Sequence, residues 1–387
     1  MSRPNPSSPP TIVLDLRTVQ DHFPGIGRAT FHLAQALAAT APTWRFTFLT
    51  QPQAVNTRYD HAALARQPNV TLHPVPQGIF SWQEQITLPR ALPPGDLIHF
   101  PYYIYPYFSR RPTVVTIYDI ISHRYPAYLP SPVHRAIFEI TTRLALARAA
   151  HVLTLSAAAA GDLQRVYGVP AAALTITPAA ADARFQPAAP ADIRALRQRL
   201  ALPEHYVLCV GANKPHKNLP RLVEAWAKLK AQTAASAAGC RLVLAGREDP
   251  RYVGIREEIA RAGLQEDVTV LGAVSEGDLP VLYSGADVFI FPSLYEGYGL
   301  PVMEAMACGA AVACSNTSSL PEVVGEDGGQ LFDPNDSDAM AAVLQSLLTD
   351  HARRAALQQR GLARARQFTW QRTAELTLAA YEAVIGL

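Results

Sequence analysis

Two carboxylates and two ammonium groups stand out in the second half of this 387-residue chain. Glu296 and Glu304 flank the run Gly297-Tyr298-Gly299-Leu300-Pro301, which follows the apolar stretch 288–291. Lys214 and Lys217 lie in Gly211-Ala212-Asn213-Lys214-Pro215-His216-Lys217-Asn218, which follows the apolar stretch 206–210. Each apolar stretch reads as a buried strand, and each loop leads into a helix. Pro301 suits a first helical position and Gly309 a helix stop. Asn218 reads as an N-cap, with Pro220 in the first turn behind it. Unpaired amides and the helix dipole at such starts favour an anion. The lysines add point charges that suit a diphosphate. A phosphate alone gains nothing from two neighbouring carboxylates. One that carries sugar hydroxyls does, because carboxylates accept hydrogen bonds from them. An ordinary βα turn with a solvated and a satisfied glutamate has the same spacing, so the whole string carries the argument.

These groups need a frame that brings loop ends together. Apolar runs at 11–16, 44–49, 70–75, 97–100, 113–118, 151–155 and 174–177 alternate with helical patterns, and a second series runs through 206–210, 241–245, 268–271, 288–291 and 310–314. Such alternation predicts parallel sheets covered on both faces, with ligands at the carboxyl ends of the strands. In the first series, Gly25-Ile26-Gly27-Arg28 opens a predicted helix over 29–39. A dinucleotide fingerprint fails there: the glycines lie well beyond the strand, and Thr30 holds the third glycine position. Two other strand-end loops hold polar groups. One is aromatic, 101–107, with Tyr102 and Tyr103; the other runs from Tyr118 and Asp119 to His123. Tyrosines there suit either packing or a sugar surface. The stretch 132–149 reads as an amphipathic core helix whose basic face, Arg135, Arg143 and Arg148, is sparse for a membrane surface. Ser156 N-caps the next helix, 157–167. Ser275 and Asp278 resemble a capping box.

Composition bounds the reading. Hydrophobic residues make up 49% and charged residues 17%, which points to a globular chain. A formal charge of +2 without a basic run gives no argument for nucleic acid. No apolar stretch reaches the length of a bilayer span. The four cysteines, Cys209, Cys240, Cys308 and Cys314, form no CxxC pair and read as buried free thiols of a reducing compartment. A cytoplasmic protein is expected, and peripheral contact with the inner face of a membrane stays open.

Glu296 and Glu304, with Gly-Tyr-Gly-Leu-Pro between them, resemble the donor signature of family 4 (group 1) glycosyltransferases of the GT-B fold. The likeness covers nearly the whole chain beyond the tail. It implies an α/β fold of two Rossmann-like, doubly wound parallel-sheet domains facing a central cleft. The expected organisation is a disordered tail at 1–10, an acceptor-binding domain at 11–183 and a linker at 184–200. A nucleotide-sugar-binding domain follows at 201–365, and a closing helix at 366–387 crosses back to the first domain. The resemblance also implies roles. Lys217 matches the family lysine that grips the donor diphosphate, and Lys214 replaces an arginine absent at Ala212. Glu304 is assigned to ribose hydroxyls and Glu296 to hydroxyls of the transferred sugar. Gly25, Gly27, Gly211, Asn213, Gly272, Gly297, Tyr298, Gly299 and Leu300 complete the donor side. Tyr118, His123, Tyr102 and Tyr103 face the acceptor, and Asp119, counted with Lys214, Lys217 and Glu296 as catalytic, either holds its loop together or touches the acceptor. The family usually has His-Asp where this chain has Tyr118-Asp119, which puts a histidine role there in doubt.

The implied reaction moves a hexose from a nucleoside diphosphate to a hydroxyl of a saccharide or a lipid-linked saccharide. It retains configuration, uses the departing phosphate as base, and needs neither cofactor nor divalent metal. GDP-mannose is favoured as donor by overall likeness, with UDP-hexoses as the alternative. A protein that binds nucleotide sugars without transferring them is the rival from another class.

Overall fold

A computed structural model of the chain describes residues 9–81, 83–232, 239–252 and 254–387. Residues 1–8 of the expected tail lie outside that set. The chain divides into two compact units, Met1–Ala179 with Thr369–Leu387, and Ala180–Phe368.

The first unit is built on seven strands among the described residues. They are β1 (Thr11–Asp15), β2 (Arg45–Thr50), β3 (Val70–Pro74), β4 (Leu97–Phe100), β5 (Thr113–Thr116), β6 (His151–Thr154) and β7 (Leu174–Ile176). They pair in the order β3-β2-β1-β4-β5-β6-β7, and every pairing is parallel. The second unit holds β8 (Tyr206–Val210), β9 (Arg241–Ala245), β10 (Val268–Gly272), β11 (Val288–Phe291), β12 (Val312–Ser315) and β13 (Gln330–Phe332). Their order is β10-β9-β8-β11-β12-β13, again parallel throughout. The central strands are buried along their whole length, as a sheet covered on both faces requires.

In each sheet the strand order reverses once, between β1 and β4 and between β8 and β11. A crevice opens at such switch points beyond the carboxyl ends of the strands. The loops singled out in the sequence leave from these four strands and from β5.

The expected helix after Gly25 and Gly27 begins earlier, at Pro24, and runs to Thr40. Both glycines therefore lie in its first turns. Pro24 fixes the first φ of the helix, which outweighs the weak helical preference of glycine. Gly27 is buried, and a Cβ there would lie 2.9 Å from the Thr18 carbonyl oxygen, so the close approach to residue 18 explains the glycine. Residues 184–200 are not an extended linker throughout, because Pro190–Leu200 is a helix of the second unit. The closing helix, Trp370–Ile385, packs in the first unit. There the Tyr381 hydroxyl lies 2.6 Å from Nδ1 of the buried His99, whose Nε2 lies 2.7 Å from the Thr116 hydroxyl. Strand β13 has no sequence counterpart above: three residues behind two glycines are too few to show a period. All four cysteines are buried and free.

Candidate active site

In the second unit, strands β8 and β11 deliver the lysine loop and the glutamate loop to adjacent positions. After β8 the chain passes Gly211 and enters a short 3-10 turn, Pro215–Lys217, before the helix Leu219–Gln232. The Lys217 stem lies over Gly211, where a Cβ would touch Cδ at 3.5 Å. Lys217 Nζ is 2.6 Å from Glu296 Oε1 and 4.8 Å from the centroid of Phe291, the last residue of β11. The two side chains are 16% and 10% exposed. This pairing of residues 79 apart was not legible in the sequence, which set the two groups on one ligand but not on each other.

Three strand ends hold the lysine loop. The Gly211 amide donates to Ala245 O at 2.8 Å, and the Gly246 amide donates to Gly272 O at 2.7 Å. Gly246 has φ +152°, and a Cβ there would lie 2.1 Å from the Gly211 carbonyl oxygen. Only glycine fits that contact. Asn213, expected on the donor side, is committed elsewhere. Its Oδ1 accepts the Asp249 amide at 2.5 Å and its Nδ2 donates to Asp249 O at 3.2 Å. Lys214 is half-buried, and it contributes, after Arg251, to holding the Asp249 carboxyl down to about 2. His216, which the loop sequence suggests as a rim residue, is buried. Its imidazole is pushed down to about 2 by burial first and then by Lys217 and Lys214, so it is neutral. The reason is local: the His216 carbonyl accepts the Leu294 amide at 2.7 Å, which draws the turn beneath the glutamate loop. Asn218 stands at the helix start, where its carbonyl accepts the Leu222 amide. Its φ is +58°, however, and its side chain donates to Pro334 O at 2.7 Å instead of capping.

The glutamate loop is fixed by Ser318 and Ser319, which open the stretch 318–325 that also resembles the family, although the sequence assigned them no role. The Glu296 amide donates to Ser318 Oγ at 2.9 Å. Ser319 Oγ donates to the carbonyls of Glu296 and Tyr298 at 3.0 and 2.8 Å. Two consecutive serines after a strand were the available signal. Gly299 adopts φ +106°, and a Cβ there would strike Leu320 at 2.6 Å. The helix Leu300–Ala307 starts directly behind it, with Pro301 in its first turn. Pro301 has no amide proton, and the Val302 and Met303 amides donate to the Gly299 carbonyl at 2.9 and 3.2 Å, so the Leu300 amide is the one at the helix tip with no acceptor in the helix. Glu304, on this helix, is buried and accepts the Tyr283 hydroxyl at 3.1 Å. Ammonium, helix-tip amide and two carboxylates thus gather around one strand–loop–helix junction.

In the first unit, the loops after β1, β4 and β5 supply aromatic and acidic groups. Tyr102 and Tyr103 have ring centroids 4.2 Å apart, and Tyr102 donates to the Tyr103 hydroxyl at 3.1 Å. Phe23 and Phe80 lie 6.1 and 5.6 Å from Tyr102. Burial first, and the charge of Asp119 among lesser causes, raise both phenols above their ordinary value. Asp119 Oδ1 also accepts the Ile121 amide at 2.8 Å, which fixes its loop. Tyr118 turns to the helix Pro24–Thr40, where its hydroxyl meets Thr30 Oγ1 at 3.2 Å. His123 is tied to Glu139 at 2.6 Å and lies edge-on to Tyr167. Gly25 is exposed, with open space at its Cα.

A buried ion cluster beneath this wall went unread in the sequence. Arg17 Nη2 lies 2.6 Å from both Asp15 Oδ2 and Glu84 Oε1. Burial works against the guanidinium, yet the two carboxylates hold it protonated above its ordinary value. Glu84 Oε2 accepts the Phe80 amide at 3.2 Å, which sets that ring on the wall. An arginine two residues behind an aspartate at the end of an apolar strand was the one local hint.

Comparison with known proteins bears on the family and the fold. Residues 192–364 match the model of the glycosyl transferases group 1 family, and residues 24–185 that of glycosyltransferase family 4. O-antigen chain mannosyltransferase B of Escherichia coli is 36% identical over 288 residues, 74% of this chain and 74% of that protein. The serotype-specific mannosyltransferase WbdA of Escherichia coli is 34% identical over 191 residues, 49% of this chain and 23% of that protein. Among solved structures, HepE of Anabaena in complex with UDP and glucose has a TM-score of 0.72 at 22% identity, over 98% of this chain and all of that one (100%). That likeness is one of fold, and the family models and sequence relatives show the family: the chain belongs to the group 1 glycosyltransferases of the GT-B fold.

Proposed function

We propose that the chain transfers mannose from GDP-mannose to a hydroxyl of a saccharide or lipid-linked saccharide, with retention of configuration and without a divalent metal. The observation that carries this reading is the Lys217–Glu296 pair at the start of the helix Leu300–Ala307. Breaking the bond between the sugar C1 and the diphosphate oxygen puts negative charge on the leaving group. Lys217, Lys214 and the amides around Gly299 and Leu300 stabilise that charge, and donors already in position are the largest catalytic term of this kind. The lysines take the electrostatic part that a metal ion has elsewhere. Glu296 accepts hydroxyls of the sugar, and Glu304 those of the ribose. The acceptor oxygen attacks C1 on the face the diphosphate leaves. Its proton passes to a phosphate oxygen, so the products are the glycoside and the nucleoside diphosphate, and no protein nucleophile takes part. On the acceptor side, Tyr102 and Tyr103 offer ring faces and hydroxyls near Asp119, a surface that suits a sugar ring.

The relatives named as mannosyltransferases support mannose. The alternative is a UDP-hexose donor, since the solved HepE of like fold holds UDP and glucose. Thermal stabilisation by GDP and by UDP decides between them. A much larger shift with GDP is expected. Equal shifts, or none, overturn the choice of mannose donor. Release of GDP from GDP-mannose by the purified chain then separates an enzyme from a binding protein.

A further inference from the structure

The glutamate loop leaves the carboxyl end of β11. The amino end of the same strand borders another cavity of the second unit, about 490 Å³ in volume. Asp287, directly before β11, lines it. So do Arg194 and Arg197 of the helix Pro190–Leu200, and His351 and Arg354 of the helix His351–Ala365. Each helix thus contributes a basic pair three residues apart, a spacing that puts both members on one face. The length of Val288–Phe291, about 13 Å, separates the cavity from the glutamate loop. Asp287 is the one carboxylate among the lining residues, and it is already engaged. Its Oδ2 accepts the Tyr206 amide at 3.0 Å and lies 3.2 Å from His205 Nδ1, and its Oδ1 lies 3.6 Å from Arg354 Nη2.

The guanidiniums are only partly spent. Arg354 Nη1 donates to Leu347 O and Leu348 O at 3.0 and 3.2 Å, and its Nη2 lies 2.7 Å from His351 Nδ1. Donation to Nδ1 leaves the imidazole proton on Nε2, where it is a further donor. Arg197 is half-buried and donates from Nη2 to Gly285 O at 3.1 Å, but its buried Nε has no acceptor among the described residues. Exposed Arg194 has no hydrogen bond or ion pair among the described residues. Guanidiniums gathered around one engaged carboxylate repel one another, and a buried N–H without an acceptor is costly. An anion with several acceptor oxygens relieves both. We propose that this cavity binds a small phosphate monoester. Three guanidiniums against one carboxylate leave an excess of two positive charges, and a phosphate monoester carries about −1.5 to −2 at pH 7. The volume is that of a small-molecule pocket, with room for an organic part beside the phosphate. The site is distinct from the one proposed for the donor diphosphate, whose loops leave the opposite end of the sheet, and the inference does not depend on which nucleotide the enzyme uses.

The test is calorimetric titration of the full chain with glucose 6-phosphate, in an excess of both GDP and UDP. The nucleotides fill the donor site whichever base it takes. Binding of one ester per chain is expected. Inorganic phosphate lacks the organic part and should bind more weakly. Arg194→Glu reverses an exposed charge that has no partner, so an unchanged melting temperature is expected. Its affinity for the ester should fall roughly tenfold or more, as when a hydrogen bond to a charged group is lost. Lys217→Met, altered at the other end of the sheet, should bind the ester as the parent does. No binding in the presence of nucleotide, undiminished binding by Arg194→Glu, or loss of binding in Lys217→Met would overturn the proposal. So would equal affinity for the ester and for inorganic phosphate, which would reduce the site to one for an adventitious ion only.

Discussion

Lys217 meets a structural demand and a proposed catalytic one, and a single substitution with its double-mutant control separates them. In Lys217→Met the unbranched stem over Gly211 and Phe291 is kept and the charge is lost. Glu296, 10% exposed and 2.6 Å from the ammonium in the parent, is left without this cation. Removing one partner of a buried pair costs about 3–5 kcal/mol. The residual exposure of both side chains lets water compensate in part, so about 2 kcal/mol is expected here. For a unit of the size of Ala180–Phe368 this lowers the melting temperature by about 4–8 °C. Turnover should fall about 10²–10³-fold, as when one fixed donor to a developing anion is lost. In Lys217→Met/Glu296→Gln no charge is stranded, so most of the stability should return while turnover stays at or below that of the single variant. Differential scanning calorimetry with steady-state release of GDP from GDP-mannose reads both effects. If Lys217→Met kept turnover within about threefold of the parent, or if the double variant regained stability and turnover together, the lysine would be a strut and the leaving-group argument would fail.

Three further outcomes are expected. Glu304→Gln keeps an acceptor for the Tyr283 hydroxyl but removes the charge. Nucleotide affinity, measured by calorimetry, should weaken roughly tenfold or more, and unchanged affinity would refute the ribose assignment. Gly246→Ala forces a methyl against the Gly211 carbonyl; it should lose about 3 kcal/mol or more in urea unfolding, and a loss below about 0.5 kcal/mol would contradict the packing of the lysine loop. His99 is buried between Tyr381 and Thr116, and burial pushes its imidazole down to about 3. The unfolded chain takes up this proton near 6.5 and the folded chain does not, so stability falls as pH drops below 6.5, by about 2 kcal/mol at pH 5. Buried His216 contributes a similar slope, so His99→Gln should remove only the His99 share in pH-dependent thermal unfolding, and an unaltered slope would show that His99 has no part in it.

What could be read from the sequence follows from where its information is local. The strands were legible because a strand buried on both faces is a continuous apolar run, as at Val288–Phe291. Lys217, Gly211, Glu296 and Glu304 were legible because the strand end, the loop and the first helical turn are contiguous in the chain. Groups that depend on a distant partner were not. Arg17 meets Glu84 across 67 residues, and Asn213 and Asn218 look like ligand and cap groups until Asp249 and Pro334 occupy their amides. His216 followed the same rule: a histidine between two lysines reads as a rim residue, and only the contact with Leu294 makes it buried. The helix Pro132–Arg148 is a core helix as expected and buries Phe138, Thr142 and Ala145. Its apolar residues cover both faces, so their periodicity could not say which face met the core.

The paired state of Lys217 bears on how the proposed donor is received. An ammonium has three N–H donors and a carboxylate about four acceptor positions. The contact with Glu296 uses one donor and one acceptor position. A diphosphate oxygen can therefore bind the same ammonium, and sugar hydroxyls the same carboxylate, while the 2.6 Å pair stays intact. On this reading the pair aims both groups before the donor arrives. Because the Glu296 amide and carbonyl are held by Ser318 and Ser319, little rearrangement is left for the moment of reaction. Ser319→Ala would then slow turnover while leaving nucleotide affinity near that of the parent, since it loosens the glutamate loop without removing a charge. A loss of affinity as large as the loss of turnover would show that the loop binds the donor's ground state and is not poised for its departure.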